Sequence, residues 1–194
     1  FHGVGAPARG ITWSELAERL HGNGALDELR VDHDFKPATP TFPFGVHIAV
    51  VEVDTETGAV ELVRHVALDD AGTLVNPTVA EGQVHGGVAT GISQALFEET
   101  LYDEDANPLT TSLLSYPFPS AAELPGFEVV TMETPTPVNP LGAKGIGESG
   151  TIGATPAVQN AVVDALAGLG VRHVDMPANG ERVWRAVREA GARS

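Results

Sequence analysis

Glu148 stands in the stretch "KGIGESG", residues 144–150, a lone carboxylate set among glycines. Two kinds of chemistry fit that pattern. Gly145, Gly147 and Gly150 spell G-x-G-x-x-G, the string whose backbone N–H groups close on a pyrophosphate in a dinucleotide-binding turn. Alternatively, the glycines serve the glutamate. Lacking Cβ atoms, they let a loop lie against something bulky and present N–H groups to it. A carboxylate in such an apolar wall has a raised pKa and can act as a general base. A plainer reading has Glu148 capping a helix or lying in solvent. Spacing alone favours this plainer reading.

Context argues against the phosphate cradle. The fingerprint needs a strand ending at its first glycine and a helix opening at its last. Here the nearest strand candidate ends near Glu133, and Pro135, Pro137 and Pro140 intervene. The helix is expected to begin only at Thr155, as N-cap, with Pro156 in its first position. The acidic residue closing the next strand candidate, Asp175, lies beyond the usual ~20-residue spacing. We therefore read the glycine string as a coincidental match.

The second stretch with chemical potential is "NPTVAEGQVHGGVATGISQALFEET", residues 76–100. Val84, Gly87, Val88, Gly91, Ile92, Ala95 and Leu96 form one helical stripe. Gly82, Gly86, Gly87 and Gly91 each cost about 1 kcal/mol relative to Ala inside a helix. Something must approach this backbone closely, either another element or a ligand. Gln83 sits among these glycines, and His85 reads as a packing residue. The seven histidines are scattered, with no H-x-x-x-H pair, and there is no cysteine. Disulfides, Cys-ligated zinc, iron–sulfur clusters and thiol catalysis are excluded within this chain, and no metal-ligand cluster is expected.

Around these stretches the sequence spells a set of short elements. "ITWSELAERLHG" is a helix with a Thr12/Glu15 capping box and an apolar face of Trp13, Leu16, Ala17 and Leu20. A Pro-rich connector follows, so residues 1–43 are expected as a helix plus connector and 44–194 as the main region. "VHIAVVEV" and "AVELVRHVALDD" make a hairpin turned at Gly58. Both strands carry apolar residues on both faces, which predicts a covered sheet. "YDEDANPLT" is a polar turn, "FEVVTME" and "VRHVDM" are strand candidates, and "GERVWRAVREA" is a last helix. The whole predicts an α+β fold, a mixed sheet with packed helices.

The formal charge of −15 repels phosphate backbones, so no nucleic-acid partner is expected. No apolar run approaches 18 residues, so no membrane span is expected, and the composition suits a cytoplasmic protein. The start at Phe1, without Met or a signal core, is expected of a processed chain or a piece of a longer one.

The stretches 76–99 and 139–166, with the tail "GVRHVDMPANGERVWRAV" (170–187), resemble the C-terminal part of the molybdenum hydroxylases. This is the xanthine oxidase and aldehyde oxidoreductase family. The nearest branch is the large subunit of aerobic carbon monoxide dehydrogenases, and the resemblance runs from about Phe44 onward. It implies the C-terminal portion of a molybdopterin-binding domain. By it, Glu148 matches the catalytic glutamate, the base that takes a proton from a hydroxyl or water ligand on molybdenum. Gln83 matches the glutamine that hydrogen-bonds the pterin, whose edge suits an amide because an amide both donates and accepts. Lys144, Gly145, Ile146 and Gly147 match the stretch whose backbone lies along the cofactor, and Asn76 begins the segment leading into the glutamine helix.

The resemblance implies molybdopterin cytosine dinucleotide with molybdenum, held by its dithiolene and needing no protein metal ligand. It also implies an aldehyde, N-heterocycle or carbon monoxide as small-molecule substrate. The partners implied are the remainder of the large subunit, an iron–sulfur subunit and an FAD subunit. The family's large subunit is several times longer and its upstream part shares the cofactor, so this chain alone is expected neither to hold molybdenum nor to turn over. Two rivals stand beside this expectation: a non-catalytic or split-subunit assembly module of the same fold, and an unrelated NAD-binding enzyme.

Overall fold

The computed structural model describes residues 1–192. It divides into two compact units, Phe1–Ala38 and the chain from Thr39 onward. The first unit centres on helix α1, Trp13–Gly22, which opens with the expected capping box. Thr12 Oγ1 accepts from the Glu15 amide at 3.2 Å, and the Glu15 carboxylate accepts from the Thr12 amide at 2.8 Å. The α1 face is not buried. Trp13 is exposed and takes the Phe1 ring edge-on, centroids 4.4 Å apart.

The second unit is built on a three-stranded sheet of order β1-β2-β3. Strands β1 (Phe44–Val53) and β2 (Val60–Asp70) form the expected antiparallel hairpin, with one bulge between Val50 and Val51. Its turn needs the positive φ of Gly58, +79°. Helix α2, Pro77–Leu96, then carries the chain over to β3, Phe127–Met132, which pairs parallel to β2. Helix α3, Ser149–Leu166, and helix α4, Gly180–Gly191, complete the unit. The sheet is thus mixed and the fold α+β, as the sequence predicts.

The core lies between one sheet face and the helices. Val84, Val88 and Ile92 of α2 and Val158, Val162 and Leu166 of α3 are completely buried. Each such side chain contributes about 1.5–3 kcal/mol.

Three expectations are corrected. Helix α3 begins at Ser149, not after Thr155, and Pro156 lies inside it. An interior proline costs about 3 kcal/mol. The burial of Val158, Val162 and Leu166 on the same helix outweighs that local penalty. "VRHVDM" forms no strand; Val171 and Val174 are buried in irregular chain, and the Gln159 amide donates to the Val174 carbonyl at 2.5 Å. Finally, only one sheet face is covered within these residues. Phe44, Val46, Ile48 and Val50 alternate along β1 on the face away from α3, and all four are exposed.

Candidate functional site

The two glycine-rich stretches are brought together by helix packing. Helices α2 and α3 run in the same direction, in a register that hydrogen bonds make explicit. Thr151 Oγ1 donates to the Gly87 carbonyl at 3.0 Å, and Thr155 Oγ1 donates to the Gly91 carbonyl at 3.2 Å. The backbones touch here. A Cβ on Gly150 would lie 2.6 Å from the Val84 carbonyl oxygen, and one on Gly91 would lie 2.8 Å from the Ala154 Cβ. So Gly87, Gly91 and Gly150 are required by helix–helix approach, not by a ligand. Of the two causes the sequence leaves open, another element or a ligand, these three glycines answer to the first.

The remaining glycines behave differently. Cβ atoms on Gly82, Gly86 or Gly145 would meet nothing within 4 Å, and one on Gly147 would meet only Gln83 Oε1, at 3.8 Å. Gln83 is exposed on α2 between Gly82 and Gly86, one turn before the seam begins. The seam therefore places Gln83 beside the loop that leads into Glu148, forming a rim bare of side chains. Among the described residues, no acceptor pairs with the backbone N–H groups of Gly145, Ile146, Gly147 or Glu148. An amide side chain next to a row of free N–H groups fits the polar edge of a heterocyclic or phosphate-bearing cofactor.

Glu148 itself is the N-cap residue of α3, but its side chain makes no capping hydrogen bond. It is exposed within these residues. The structure thus puts it at the helix start, aimed away from the core, and no apolar wall closes over it here. Helix α3 also opens at Ser149, ahead of Gly150, so one objection to a dinucleotide turn falls. The other holds: β3 ends at Met132, well before Gly145, with a loop between. The sheet order is not that of a doubly wound fold.

The loop is fastened from below. Asp70, at the end of β2, is fully buried and accepts from Lys144 Nζ at 3.0 Å, from the Gly72 amide at 2.8 Å and from the Thr134 amide at 3.1 Å. Burial alone would raise its carboxyl, but the bonds from Thr134, Gly72 and Lys144 outweigh that and hold it well below the usual carboxylate range. Lys144 also lies over the Phe44 ring, 4.6 Å from its centroid, and its amide donates to the Ala71 carbonyl at 2.8 Å. Its ammonium is therefore committed to the protein. The Asn76 side chain caps α2, accepting from the Val79 amide at 3.1 Å. Asn76, Lys144 and Ile146 line a common cavity of about 220 Å³ beside Ala71, Val79 and Ala80. The His85 ring packs near Phe127, centroids 6.1 Å apart.

Sequence reasoning missed Asp70 and Thr151, and read Thr155 as an N-cap where it donates to the Gly91 carbonyl. The signal for Asp70 was available: "ALDD" places two carboxylates at the end of an apolar strand, where a buried partner is needed. A buried chain of Asp69, His47 and His65 was missed as well.

Comparison with known proteins supplies a family. Residues 2–125 match the model of the molybdopterin cofactor-binding domain. The chain is 40% identical over 194 residues to the carbon monoxide dehydrogenase large chain of Afipia carboxidovorans, covering 98% of this chain and 24% of that one. It is 44% identical over 149 residues to the nicotine 6-hydroxylase large subunit of Paenarthrobacter nicotinovorans, covering 77% of this chain and 18% of the relative. It superposes on a Cu,Mo-containing carbon monoxide dehydrogenase structure with a TM-score of 0.88 at 36% identity, again covering 98% of this chain and 24% of the other. The chain thus spans a quarter or less of these relatives' length. Among the described residues, no helix is long and apolar enough to cross a membrane. On the matched model and these identities, the chain belongs to the molybdopterin cofactor-binding domain family.

Proposed function

We propose that the chain is the C-terminal cofactor-binding region of a molybdenum-dependent hydroxylase that oxidises an aldehyde, an N-heterocycle or carbon monoxide, with Glu148 as its general base. One observation carries this reading: the α2/α3 seam sets the Gln83 amide beside the glycine loop that ends in Glu148, on a rim open to a large flat group. In this reading Gln83 pairs with the pterin edge, donating and accepting at once. The N–H groups of Gly145, Ile146 and Gly147 line the cofactor, and Asn76 and Lys144 hold the ends of the two supporting segments. Glu148 takes up a proton at its carboxylate as the substrate carbon is attacked. When bound, molybdopterin cytosine dinucleotide supplies the two-electron oxidising centre, and partner iron–sulfur and FAD subunits carry the electrons away. The rest of a large subunit closes the open side of the rim, and the assembled enzyme is cytoplasmic.

The test is Glu148→Gln in the molybdenum-loaded enzyme. General-base loss costs about 10²–10⁴-fold, so kcat should fall by that much while molybdenum content stays constant. Full activity of that variant would overturn the assignment. A second reading, a non-catalytic or split-subunit assembly module of the same fold that lacks activity alone, is favoured by the exposure of Glu148. Molybdenum analysis of the chain expressed alone and with a complementing upstream segment separates the two.

A further inference from the structure

We infer that His47 is a positioning residue for Glu148: its ring, wedged between Asp69, His65 and Gly153, fixes where the helix bearing Glu148 rests on the sheet. The inference rests on the reading of Glu148 as the base.

His47 projects from β1 toward α3, and its side chain is 2% exposed. Its Nε2 lies 3.3 Å from Asp69 Oδ2, and its Nδ1 lies 3.3 Å from His65 Nε2. A carboxylate oxygen accepts, so the bond to Asp69 is donated from His47 Nε2, and with a single proton on that ring Nδ1 is the acceptor. His65 then donates from Nε2 and leaves Nδ1 bare. That atom is buried and has no partner among the described residues, so this assignment buries a lone pair there and not an unpaired N–H. Burial first, and the neighbouring His47 second, pull the His65 pKa down to about 4, which keeps that ring neutral. The chain of three side chains is thereby locked in one orientation, between β1, β2 and the Phe127 ring of β3, 6.2 Å from His65.

The far side of the His47 ring meets Gly153. A Cβ on Gly153 would fall 2.6 Å from the ring's Cγ, Cδ2 and Nε2, so the ring lies against bare helix backbone with no slack. On its other flank the same stretch of α3 is held by the Gly87 and Gly91 carbonyls. Helix α3 is therefore clamped on two sides within its first two turns. Gly153 lies about 7.5 Å along the helix axis from Glu148, at 1.5 Å per residue. A displacement at Gly153 passes along a rigid helical turn to the carboxylate.

A base must stand within hydrogen-bond reach of its proton, and a misplacement of about 1 Å costs about 10²-fold. The test uses the assembled, molybdenum-loaded enzyme with Gly153→Ala, His47→Phe, His47→Gln and Glu148→Gln. Gly168→Ala is the control, since a Cβ there meets nothing within 4 Å. Molybdenum content, kcat and KM per molybdenum, and amide hydrogen exchange over residues 149–153 are measured. Gly153→Ala and His47→Phe should lose about 10²-fold in kcat with KM and molybdenum content unchanged, and residues 149–153 should exchange faster. His47→Gln keeps a donor for Asp69 but not the flat ring, so it should load fully and lose about 10-fold. Wild-type kcat and exchange in His47→Gln or Gly153→Ala, with Glu148→Gln inactive, would overturn the positioning role alone. Activity falling only in step with molybdenum content would overturn it too. A fully active Glu148→Gln would instead remove the reading on which it rests.

Discussion

Two sets of glycines a single turn apart do opposite work. Gly87, Gly91 and Gly150 line a closed seam where any side chain would strike backbone or the facing Ala154. Gly82, Gly86 and Gly145 line an open rim where a methyl group would touch nothing within 4 Å. The seam exchanges side-chain volume for closeness, and its gain is buried apolar surface and two threonine hydrogen bonds. The rim makes no such gain within these residues. Gly82 and Gly86 only lower the propensity of α2, which in a stable fold points to something outside the chain that needs the space.

The contrast can be broken most forcefully at the joint between the two regions. The rim loop is open above but fastened below through Lys144 to buried Asp70. Lys144→Ala would leave a buried carboxylate without its cation, a loss of about 3–5 kcal/mol for such pairs. Urea unfolding should show that drop. A loss below about 1 kcal/mol, the range of exposed pairs, would mean that the rim is not anchored this way. Gly150→Ala tests the seam itself. Its Cβ would sit 2.6 Å from the Val84 carbonyl oxygen and 2.9 Å from the Val88 amide nitrogen, neither of which can swing aside. Overpacking of this kind costs about 1–3 kcal/mol, read as a lowered midpoint of unfolding.

Much of this architecture is legible from residue order, for physical reasons. The α2 stripe from Val84 to Leu96 has helical period because one face is buried. The hairpin and its turn follow from β-branched runs flanking Gly58. The capping box at Thr12 is a local signal and forms locally. What residue order hides is whatever a distant partner decides. Pro156 announces a helix start, but the seam draws helix out of "SGTIGAT" ahead of it. "VRHVDM" has the composition of a strand but finds no sheet edge. Of the residues proposed for the site, Gln83 and Glu148 stand in motifs legible in the sequence, whereas Asp70 and His47 do not, since their contacts lie 74 and 106 positions away in the chain, at Lys144 and Gly153.

Mild acid should act on the buried histidine beneath helix α3. Unfolded histidines titrate near 6.5, whereas buried His65 holds no proton until about pH 4. The unfolded state thus binds the extra proton first, so stability falls as the pH drops from about 6.5 to about 4 and then levels off. Replacing His65 with Gln should remove that part of the slope in unfolding midpoints recorded across this window. An unchanged slope would assign it to other groups.

The finest test uses a change that the two regions should read with opposite sign. Gly86→Ala adds a methyl group to exposed helix where nothing lies within 4 Å. It should stabilise the chain by about 0.5–1 kcal/mol through helix propensity alone, whereas Gly87→Ala, one residue on, should destabilise it because its Cβ would lie 3.0 Å from Gly150 and Thr151 backbone. If the rim is bare because a cofactor lies on it, Gly86→Ala should also lower molybdenum and pterin content in the assembled enzyme while raising the stability of the unloaded protein. A gain in stability with undiminished cofactor content would leave the rim open for some reason other than cofactor contact at Gly86. A loss of stability would mean that the face of α2 around Gln83 is already covered, and the distinction between rim and seam would fail at its smallest element.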